Sequence, residues 1–188
     1  HLINSGRTLI KHEFKWPFTK IIESIVFRQF NKMTKDFPYY KGNHNEISGQ
    51  HDIVPWPPYT SYLDIEPELA FVIGSDNDGK PVIAGYCILN DISARDVQFP
   101  EMKSIGPGRC EDFTASNGLS AFLVTPDEIK DILNLWVTVN IGDRLHWTGS
   151  TAEYMALPSD IIEYLGEVFA LRPGTVIGMG TIPGCCCL

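Results

Sequence analysis

Residues 63 to 74 read LDIEPELAFVIG, a strand-like apolar run that carries paired acids and ends in a glycine turn. Glu66 and Glu68 stand two positions apart in this run. Residues i and i+2 of a strand point to the same face, about 7 Å apart, so both carboxylates can reach one divalent cation. Two acids on one strand face are more often simply solvated. This stretch alone therefore leaves open a metal site and a wetted surface.

A third acid favours the metal site. Asp91 ends the next apolar run, and Arg95 and Gln98 follow it in the segment NDISARDVQ. Three carboxylates offer hard oxygen ligands, which suit Mg²⁺, Mn²⁺ or Ca²⁺ and not zinc. An ion held this way keeps positions open for a chelating substrate, such as a 2-oxo acid or a 1,3-diketone. As a Lewis acid it would stabilise the enolate formed when a C–C bond breaks or a proton leaves.

Five segments resemble, in order and spacing, the fumarylacetoacetate hydrolase superfamily over about residues 20 to 188. The resemblance implies an α+β, β-rich fold, which is a twisted, mixed β-roll with a few short helices. It also implies a metal-dependent enzyme that is commonly a homodimer. An upstream stretch at residues 39 to 59, which includes Tyr40 and Lys41, resembles the approach to the first metal-binding strand. The five segments are LDIEPELAFVIG (63–74), IAGYCILNDISARDVQFPEM (83–102), the IGPG turn (105–108), DFTASNGLSAFLVTPDEI (112–129) and LRPGTVIGMGTIPG (171–184).

The family pattern gives roles to the residues around these acids. It makes Arg95 the partner of a substrate carboxylate and Gln98 a hydrogen-bonding partner of a substrate carbonyl. Arg95 has an alternative, which is an ion pair with Asp96 or another acid. The pattern also places Thr181, in GMGTIPG, at a glycine-flanked turn that lines the substrate pocket, although a plain turn role is equally open. Arg95 and Gln98 are thus catalytic and substrate-binding candidates, and Thr181 is a substrate-binding candidate.

One departure from the family pattern removes the general base. Relatives that hydrolyse C–C bonds carry a histidine on a short helix, seven residues after an acidic metal ligand, to deprotonate the attacking water. Matching ESIVFRQF (23–30) to that helix puts Phe30 at the histidine position. Glu23 then takes the acidic position, either as a weak further metal ligand or as an exposed helix residue. Spacing places none of the spare histidines near the acids, namely His12, His44 and His51.

A second departure reverses a charge. Relatives usually have a lysine two residues before the Phe of the DF pair, where it helps to hold the substrate's oxyanion. This chain reads GPGRCEDF, so Glu111 takes that catalytic position. Arg109 and Lys103 are the candidates to supply the lost positive charge.

Three functional hypotheses follow. The first is a divalent-metal-dependent hydrolase that cleaves a C–C bond in a 1,3-diketo or 2-oxo acid of the acylpyruvate or fumarylacetoacetate type; the family as a whole favours it. The second is a decarboxylase, tautomerase or isomerase of a 2-oxo acid such as oxaloacetate, which needs no base to activate water. The third is a non-catalytic member, against which the three acids argue because they would repel one another if unused.

Composition bounds the class of protein. A chain of 188 residues with 44% hydrophobic residues can bury a core, and we assign one catalytic domain to residues 39–188, behind a helical or lid segment at residues 1–38. The resemblance implies further closing strands after residue 188, so we expect either a fragment that lacks its last strands or a sheet that closes differently. A net charge of −8 argues against nucleic acid or an anionic membrane as a partner. With no signal peptide and no long apolar run, we expect a cytoplasmic protein that acts on a small molecule.

The hydrophobic pattern predicts mostly strands with a few short helices. Apolar positions at helical spacing predict an amphipathic helix over residues 18–32. The segment SDNDGK (75–80) has hairpin turn chemistry. A second helix is predicted in LPSDIIEYLGEVFALRPG (157–174), with Ser159 as its cap. Strands are predicted at residues 69–74, 81–89, 119–125, 133–141 and 174–179.

Overall fold

The structure is a computed structural model that describes residues 24–27, 38–104 and 106–187. Strands dominate these ranges, which confirms the predicted α+β, β-rich fold. The helices are α1 (Arg95–Glu101) and α2 (Pro158–Val168), and single 3-10 turns lie at Pro126–Glu128 and Thr151–Glu153. The strands are β1 (Ser24–Phe27), β2 (Tyr39–Gly42), β3 (Ile47–Ser48), β4 (Leu63–Asp64), β5 (Pro67–Ser75), β6 (Pro81–Asp91), β7 (Ser93–Ala94), β8 (Asn117–Leu119), β9 (Trp136–Ile141), β10 (Leu145–Ser150) and β11 (Val176–Thr181).

A seven-stranded mixed sheet forms the body of the structure, in the order β2-β1-β11-β5-β6-β8-β3. Strands β1 and β11 pair in parallel, as do β3 and β8, and the other neighbours are antiparallel. Two small sheets pair β9 with β10 and β4 with β7. This order brings β11, late in the chain, directly against β5.

The β5–β6 hairpin is the centre of the sheet. Its turn closes through the Asp76 N–H, which donates to the Lys80 carbonyl at 3.0 Å, while the Asp76 carboxylate accepts from the Lys80 N–H at 2.8 Å. Gly79 has a φ of 80°, which glycine adopts without steric cost. The hairpin predicted at residues 75–80 is therefore confirmed.

Alternate residues of β5 serve two different cores, because successive side chains of a strand point to opposite faces. Leu69, Phe71 and Ile73 pack in one core with the buried face of α2. Ala70 and Val72 pack in the other, with buried residues of β6 and β11. Helix α2 thus covers one face of the sheet, and the opposite face is the one that Glu66 and Glu68 share by parity.

The helix predicted over residues 18–32 is wrong where the structure describes it. Ser24–Phe27 form β1, with β2 on one side and β11 on the other. Backbone pairing with two neighbouring strands outweighs the helical spacing of so short an apolar run. The match of ESIVFRQF to a short catalytic helix therefore fails, and the inference that Phe30 replaces a histidine loses its support. Glu23 and Phe30 themselves lie outside the described residues.

The second predicted helix exists as α2, but Ser159 is not its cap. The cap position is Leu157, two residues earlier, and the helix begins at Pro158 because proline is preorganised for the first helical position and has no N–H to satisfy. The Asp160 carboxylate accepts from the Leu157 N–H at 2.9 Å. Neither α2 nor α1 has the length and apolar character that a membrane-spanning helix requires, and the described residues contain no other α-helix.

Four of the five predicted strands are present with shifted ends. The strand predicted at residues 119–125 is wrong beyond Leu119, which ends β8, and Val124 forms only an isolated bridge to Tyr86. The other four predicted strands correspond to β5, β6, β9 and β11.

Substitution of a core residue of α2 tests this packing. Leu165 is fully buried against the sheet, so Leu165→Ala should lower the free energy of unfolding by about 2–5 kcal/mol through lost contacts and an unfilled cavity. Val168 lies on the same helix with its side chain 58% exposed, and Val168→Ala should change stability by no more than about 0.5 kcal/mol. Equilibrium urea unfolding measures both. Equal midpoints for the two variants would contradict the docking of α2.

Candidate metal centre

Three carboxylates meet on the face of the sheet opposite α2. Glu66 directly precedes β5, Glu68 lies in β5 and Asp91 ends β6. The Asp91 N–H donates to the Glu66 carbonyl at 3.0 Å, which sets these two residues opposite each other across the hairpin. One oxygen from each of the three side chains lies within 4.8 Å of the others, and the residues are 6%, 2% and 0% exposed. The structure therefore brings the three predicted ligands together in one buried group.

Strand β11 leaves room for the Glu68 side chain. A Cβ at Gly178 would overlap the Glu68 carboxylate and lie 2.7 Å from Leu89 Cδ2. Two residues later the Gly180 N–H donates to Glu68 Oε2 at 3.1 Å. Gly180 has a φ of 94°, and the pairing of β11 with β5 shifts register between Gly178 and Thr181. The GMG segment therefore shapes and binds one ligand of the centre.

Tyr154 supports this glycine segment from behind. Its hydroxyl donates to the Gly180 carbonyl at 2.7 Å and accepts from the Leu69 N–H at 3.2 Å. Burial, with the negative charge of Glu68 nearby, raises the pKa of Tyr154 well above its usual value. The phenol therefore stays neutral and keeps its donor at physiological pH.

Arg95 lies against Glu66 of the centre and against Asp64, a further buried acid. Its Nε donates to Asp64 Oδ2 at 2.8 Å and its Nη2 lies 2.7 Å from the same oxygen, while its Nη1 pairs with Glu66 Oε1. Burial lowers the pKa of Arg95, but Glu66 and Asp64 outweigh it and the net shift is upward. Asp96 is not a partner, because its carboxylate accepts from Thr60 and Ser61 instead. The structure therefore shows Arg95 in ion pairs with acids other than Asp96, and its role in binding a substrate carboxylate stays a prediction.

Gln98 joins Arg95 to Glu111. Arg95 Nη1 donates to Gln98 Oε1 at 2.8 Å, and Gln98 Nε2 donates to Glu111 Oε1 at 2.6 Å. The Ser93 hydroxyl lies 3.4 Å from the same Glu111 oxygen. Glu111, at the position where the family resemblance implies a lysine, is buried and is therefore part of this network and not a surface residue.

Some of the remaining predicted residues contact the acids of the centre, and others have different partners. The Tyr40 hydroxyl donates to Asp91, whereas the Lys41 ammonium lies over the Phe169 ring. Thr181 is half-buried and ends β11 opposite Glu68, so it occupies a strand end and not a turn. Its role in binding substrate stays a prediction.

The cations proposed to replace the lysine lie elsewhere. Arg109 and Lys103 are exposed and stack on aromatic rings, Arg109 at 4.0 Å from the Tyr59 centroid and Lys103 at 4.5 Å from that of Phe99. His44 and His51 are exposed as well, and His12 lies outside the described residues.

Three supporting residues were not predicted, namely Asp64, Gly178 and Tyr154. Asp64 stands two positions before Glu66 and shares the alternation that identified Glu66 and Glu68, so extending that pattern by one step could have found it. Tyr154 lies in an irregular segment and has no comparable signal.

The donor set fits a hard divalent cation. Three buried carboxylates at this separation repel one another, and a cation among them would remove that repulsion. Oxygen ligands of this kind suit Mg²⁺, Mn²⁺ or Ca²⁺. The fit therefore agrees with the ligand chemistry expected from the sequence.

The chain matches the family described as fumarylacetoacetate (FAA) hydrolase C-terminal over residues 18–187, which is most of its length. It therefore belongs to the fumarylacetoacetate hydrolase family. Enzymes of this family are typically metal-dependent, in agreement with the acidic group on the β5–β6 hairpin.

Relatives of known name include both hydrolases and isomerases. The chain is 31% identical over 146 residues to a 2,4-didehydro-3-deoxy-L-rhamnonate hydrolase of Sphingomonas sp. (strain SKA58), a match that covers 74% of this chain and 50% of the relative. The chain spans about half the length of the curated relatives it matches.

Two solved structures share the fold. A probable 2-hydroxyhepta-2,4-diene-1,7-dioate isomerase of Mycobacterium abscessus is 29% identical, with a TM-score of 0.69 over 87% of this chain and 63% of that one. A 5-carboxymethyl-2-hydroxymuconate delta-isomerase of Mycobacterium smegmatis is 23% identical, with a TM-score of 0.72 over 86% of this chain and 66% of that one.

A methyl group at residue 178 should damage the centre selectively. Gly178→Ala would push the Glu68 carboxylate out of place, so Mn²⁺ should bind at least about tenfold more weakly. Gly166→Ala is the matched control, because a Cβ at that exposed helical position meets nothing within 4 Å. Calorimetric titration of the metal-free proteins with Mn²⁺ measures both affinities. Wild-type affinity in Gly178→Ala would show that Glu68 does not need this space.

Proposed function

We propose that the protein is a divalent-metal-dependent hydrolase that cleaves a C–C bond in a 1,3-diketo or 2-oxo acid of the acylpyruvate or fumarylacetoacetate type. The observation that carries the proposal is the group of three buried carboxylates on one face of the sheet. Membership of the family and the similarity to a rhamnonate-derived acid hydrolase support the choice of hydrolysis. The expected partner is a small 2-oxo or 1,3-dicarbonyl acid, and a homodimer is the proposed assembly.

Glu66, Glu68 and Asp91 would hold the ion. When bound, the ion supplies a Lewis acid that stabilises negative charge on a substrate carbonyl oxygen as the C–C bond breaks. Mg²⁺ is the first candidate, and Mn²⁺ or Ca²⁺ would suit the same oxygen ligands.

Neighbouring donors hold two of the ligand carboxylates in place. The Gly180 N–H fixes one oxygen of Glu68, and the Tyr40 hydroxyl fixes one oxygen of Asp91. Hydrogen bonds of this kind orient metal ligands and prevent their rotation away from the ion. These contacts are made within the protein itself, so the ligand set is preorganised.

Glu111 places a negative charge where a lysine would place a positive charge, which changes the substrate groups that can bind there. A carboxylate at this position accepts hydrogen bonds from Gln98 and Ser93 and cannot hold an oxyanion as a lysine does. Gln98 has its amide oxygen on Arg95 and its amide nitrogen on Glu111, so its orientation is fixed. This arrangement favours substrates whose group near residue 111 donates a hydrogen bond, such as a hydroxyl, over substrates with an anion there.

A second function has a specific observation in its favour. Hydrolysis needs a base for the attacking water, and the histidines in the described ranges, His44, His51 and His146, are all exposed. Decarboxylation, tautomerisation or isomerisation of a 2-oxo acid such as oxaloacetate uses the same Lewis acid without that base. Isomerases among the solved structures with this fold agree with this alternative.

Turnover measurements with a ligand variant test the enzymatic proposal. Wild-type protein with Mg²⁺ should convert acetylpyruvate to pyruvate and acetate, and EDTA or Glu68→Gln should abolish the reaction because a ligand carboxylate is lost. Glu163→Gln, an exposed carboxamide exchange on α2, is the matched control and should leave the rate unchanged. A coupled assay that detects the released pyruvate measures the rates.

The choice of substrate separates the two functions. Conversion of oxaloacetate without conversion of acylpyruvates would favour the decarboxylase or isomerase. Full metal-dependent turnover by Glu68→Gln would show that the site is misplaced.

A binding experiment separates an enzyme from a non-catalytic member. Oxalate mimics the enolate of pyruvate and chelates a divalent ion through two oxygens. Oxalate should therefore tighten Mn²⁺ binding by occupying open positions on the ion. Calorimetric titration with Mn²⁺, with and without oxalate, measures the effect. Binding that oxalate leaves unchanged would argue against a substrate-chelating centre.

A further inference from the structure

We propose that Asp64 is a positioning residue that holds the Arg95 guanidinium so that the carboxylate of Glu66 stays available to the metal. The inference rests on the proposed metal centre and adds to it a residue outside the three ligands. Its basis is the set of contacts that Asp64, Arg95 and Glu66 make with one another.

The short β4–β7 ladder places Asp64 beside Arg95. Asp64 pairs with Ser93 across this ladder, and the Arg95 N–H donates to the Tyr62 carbonyl at 2.9 Å just beyond it. Asp64, Ser93 and Ala94 of this ladder are buried, so the ladder holds the acid inside the protein next to Arg95. The ladder therefore holds the Asp64 carboxylate and the Arg95 guanidinium together in a fixed orientation.

Both oxygens of Asp64 are occupied within the protein. Oδ2 accepts from Arg95 Nε at 2.8 Å and from the Cys187 N–H at 3.0 Å, and it lies 2.7 Å from Arg95 Nη2 in the ion pair. Oδ1 receives the Ile65 N–H at 2.9 Å and the Cys187 N–H at 3.2 Å. A carboxylate accepts about four hydrogen bonds, and donors from Arg95, Ile65 and Cys187 already take most of that capacity at Asp64. Its side chain is therefore committed to holding Arg95.

The contact with Asp64 determines which nitrogen of Arg95 pairs with Glu66. Nε and Nη2 face Asp64, which leaves Nη1 to be shared between Glu66 and Gln98. Asp64 and Glu66 are the two acids that pair with Arg95 here. If Asp64 lost its charge, the Arg95 guanidinium would pair more strongly with Glu66. A divalent ion would then compete with a stronger ion pair for the Glu66 oxygens, because an uncompensated buried charge is costly. Metal affinity should fall although none of the ligands has changed.

A double-mutant cycle tests this role by Mn²⁺ calorimetry on metal-free wild type, Asp64→Asn, Arg95→Gln and the double variant. Asp64→Asn should weaken Mn²⁺ binding by about 10- to 100-fold, as loss of a residue that orients a metal ligand typically does. In the Arg95→Gln background the same substitution should have no further effect, because Asp64 acts through the guanidinium. Asp64→Glu keeps the charge and should bind more tightly than Asp64→Asn.

Asp96→Asn is the matched control. Asp96 neighbours Arg95 in sequence but accepts from Thr60 and Ser61, so its neutralisation should leave Mn²⁺ affinity unchanged. Unchanged affinity in Asp64→Asn would overturn the inference, and so would an equal loss in the wild-type and Arg95→Gln backgrounds, which would indicate a merely structural role. Absence of Mn²⁺ binding in folded wild type would overturn the proposed function and this inference with it.

A second measurement on the wild type keeps the inference testable if Asp64→Asn does not fold. The Nε–H of Arg95 should give a slowly exchanging signal in the spectrum of protein labelled with [¹⁵N]arginine, identified by its loss in Arg95→Lys. Addition of Mg²⁺ should shift this signal, because the guanidinium shares Glu66 with the ion. Fast exchange, or a signal that Mg²⁺ leaves in place, would overturn the inference.

Discussion

Repulsion between buried carboxylates is the constraint that the surrounding residues satisfy. Glu66, Glu68 and Asp91 are buried on one face of the sheet, and Asp64 and Glu111 are buried beside them. Burying a charge without partners is expensive, so each acid needs donors or cations close by. Arg95, backbone N–H groups and the Tyr40 hydroxyl supply them within the protein. A divalent ion bound among these acids would complete this compensation and would therefore stabilise the fold as well.

Strand β11 couples the site to the core. Its odd residues, Ile177 and Met179, pack in the core that α2 covers. Its even residues, Gly178 and Gly180, face or bind Glu68. Because the core and Glu68 lie on opposite faces of this one strand, repacking under α2 would shift the Glu68 carboxylate. The acidic group is therefore sensitive to residues that do not contact it.

Sequence patterns predicted those parts of the fold that depend on local chemistry. The hairpin of β5 and β6 follows from alternation and turn residues, and its register then brings Asp91 opposite Glu66. The prediction failed at Ser24–Phe27, where pairing with strands distant in sequence overrides helical spacing. The partner of Arg95 could not be fixed either, because Asp64 reaches it through a two-residue ladder that has no periodic signal. Long-range pairing is what separates the predicted elements from the missed ones.

The placement of β11 between β1 and β5 also sets an order of events for a chain that is being made. Glu68 and the Gly180 N–H that binds it are 112 residues apart in sequence. Contacts of such separation form late, because the entropy of closing the intervening loop must be lost before the contact is gained. The strands of the β5–β6 hairpin are close in sequence, so they can pair before β11 is present. Glu68 receives the Gly180 N–H only when β11 pairs with β5, so this contact marks the closing of the sheet.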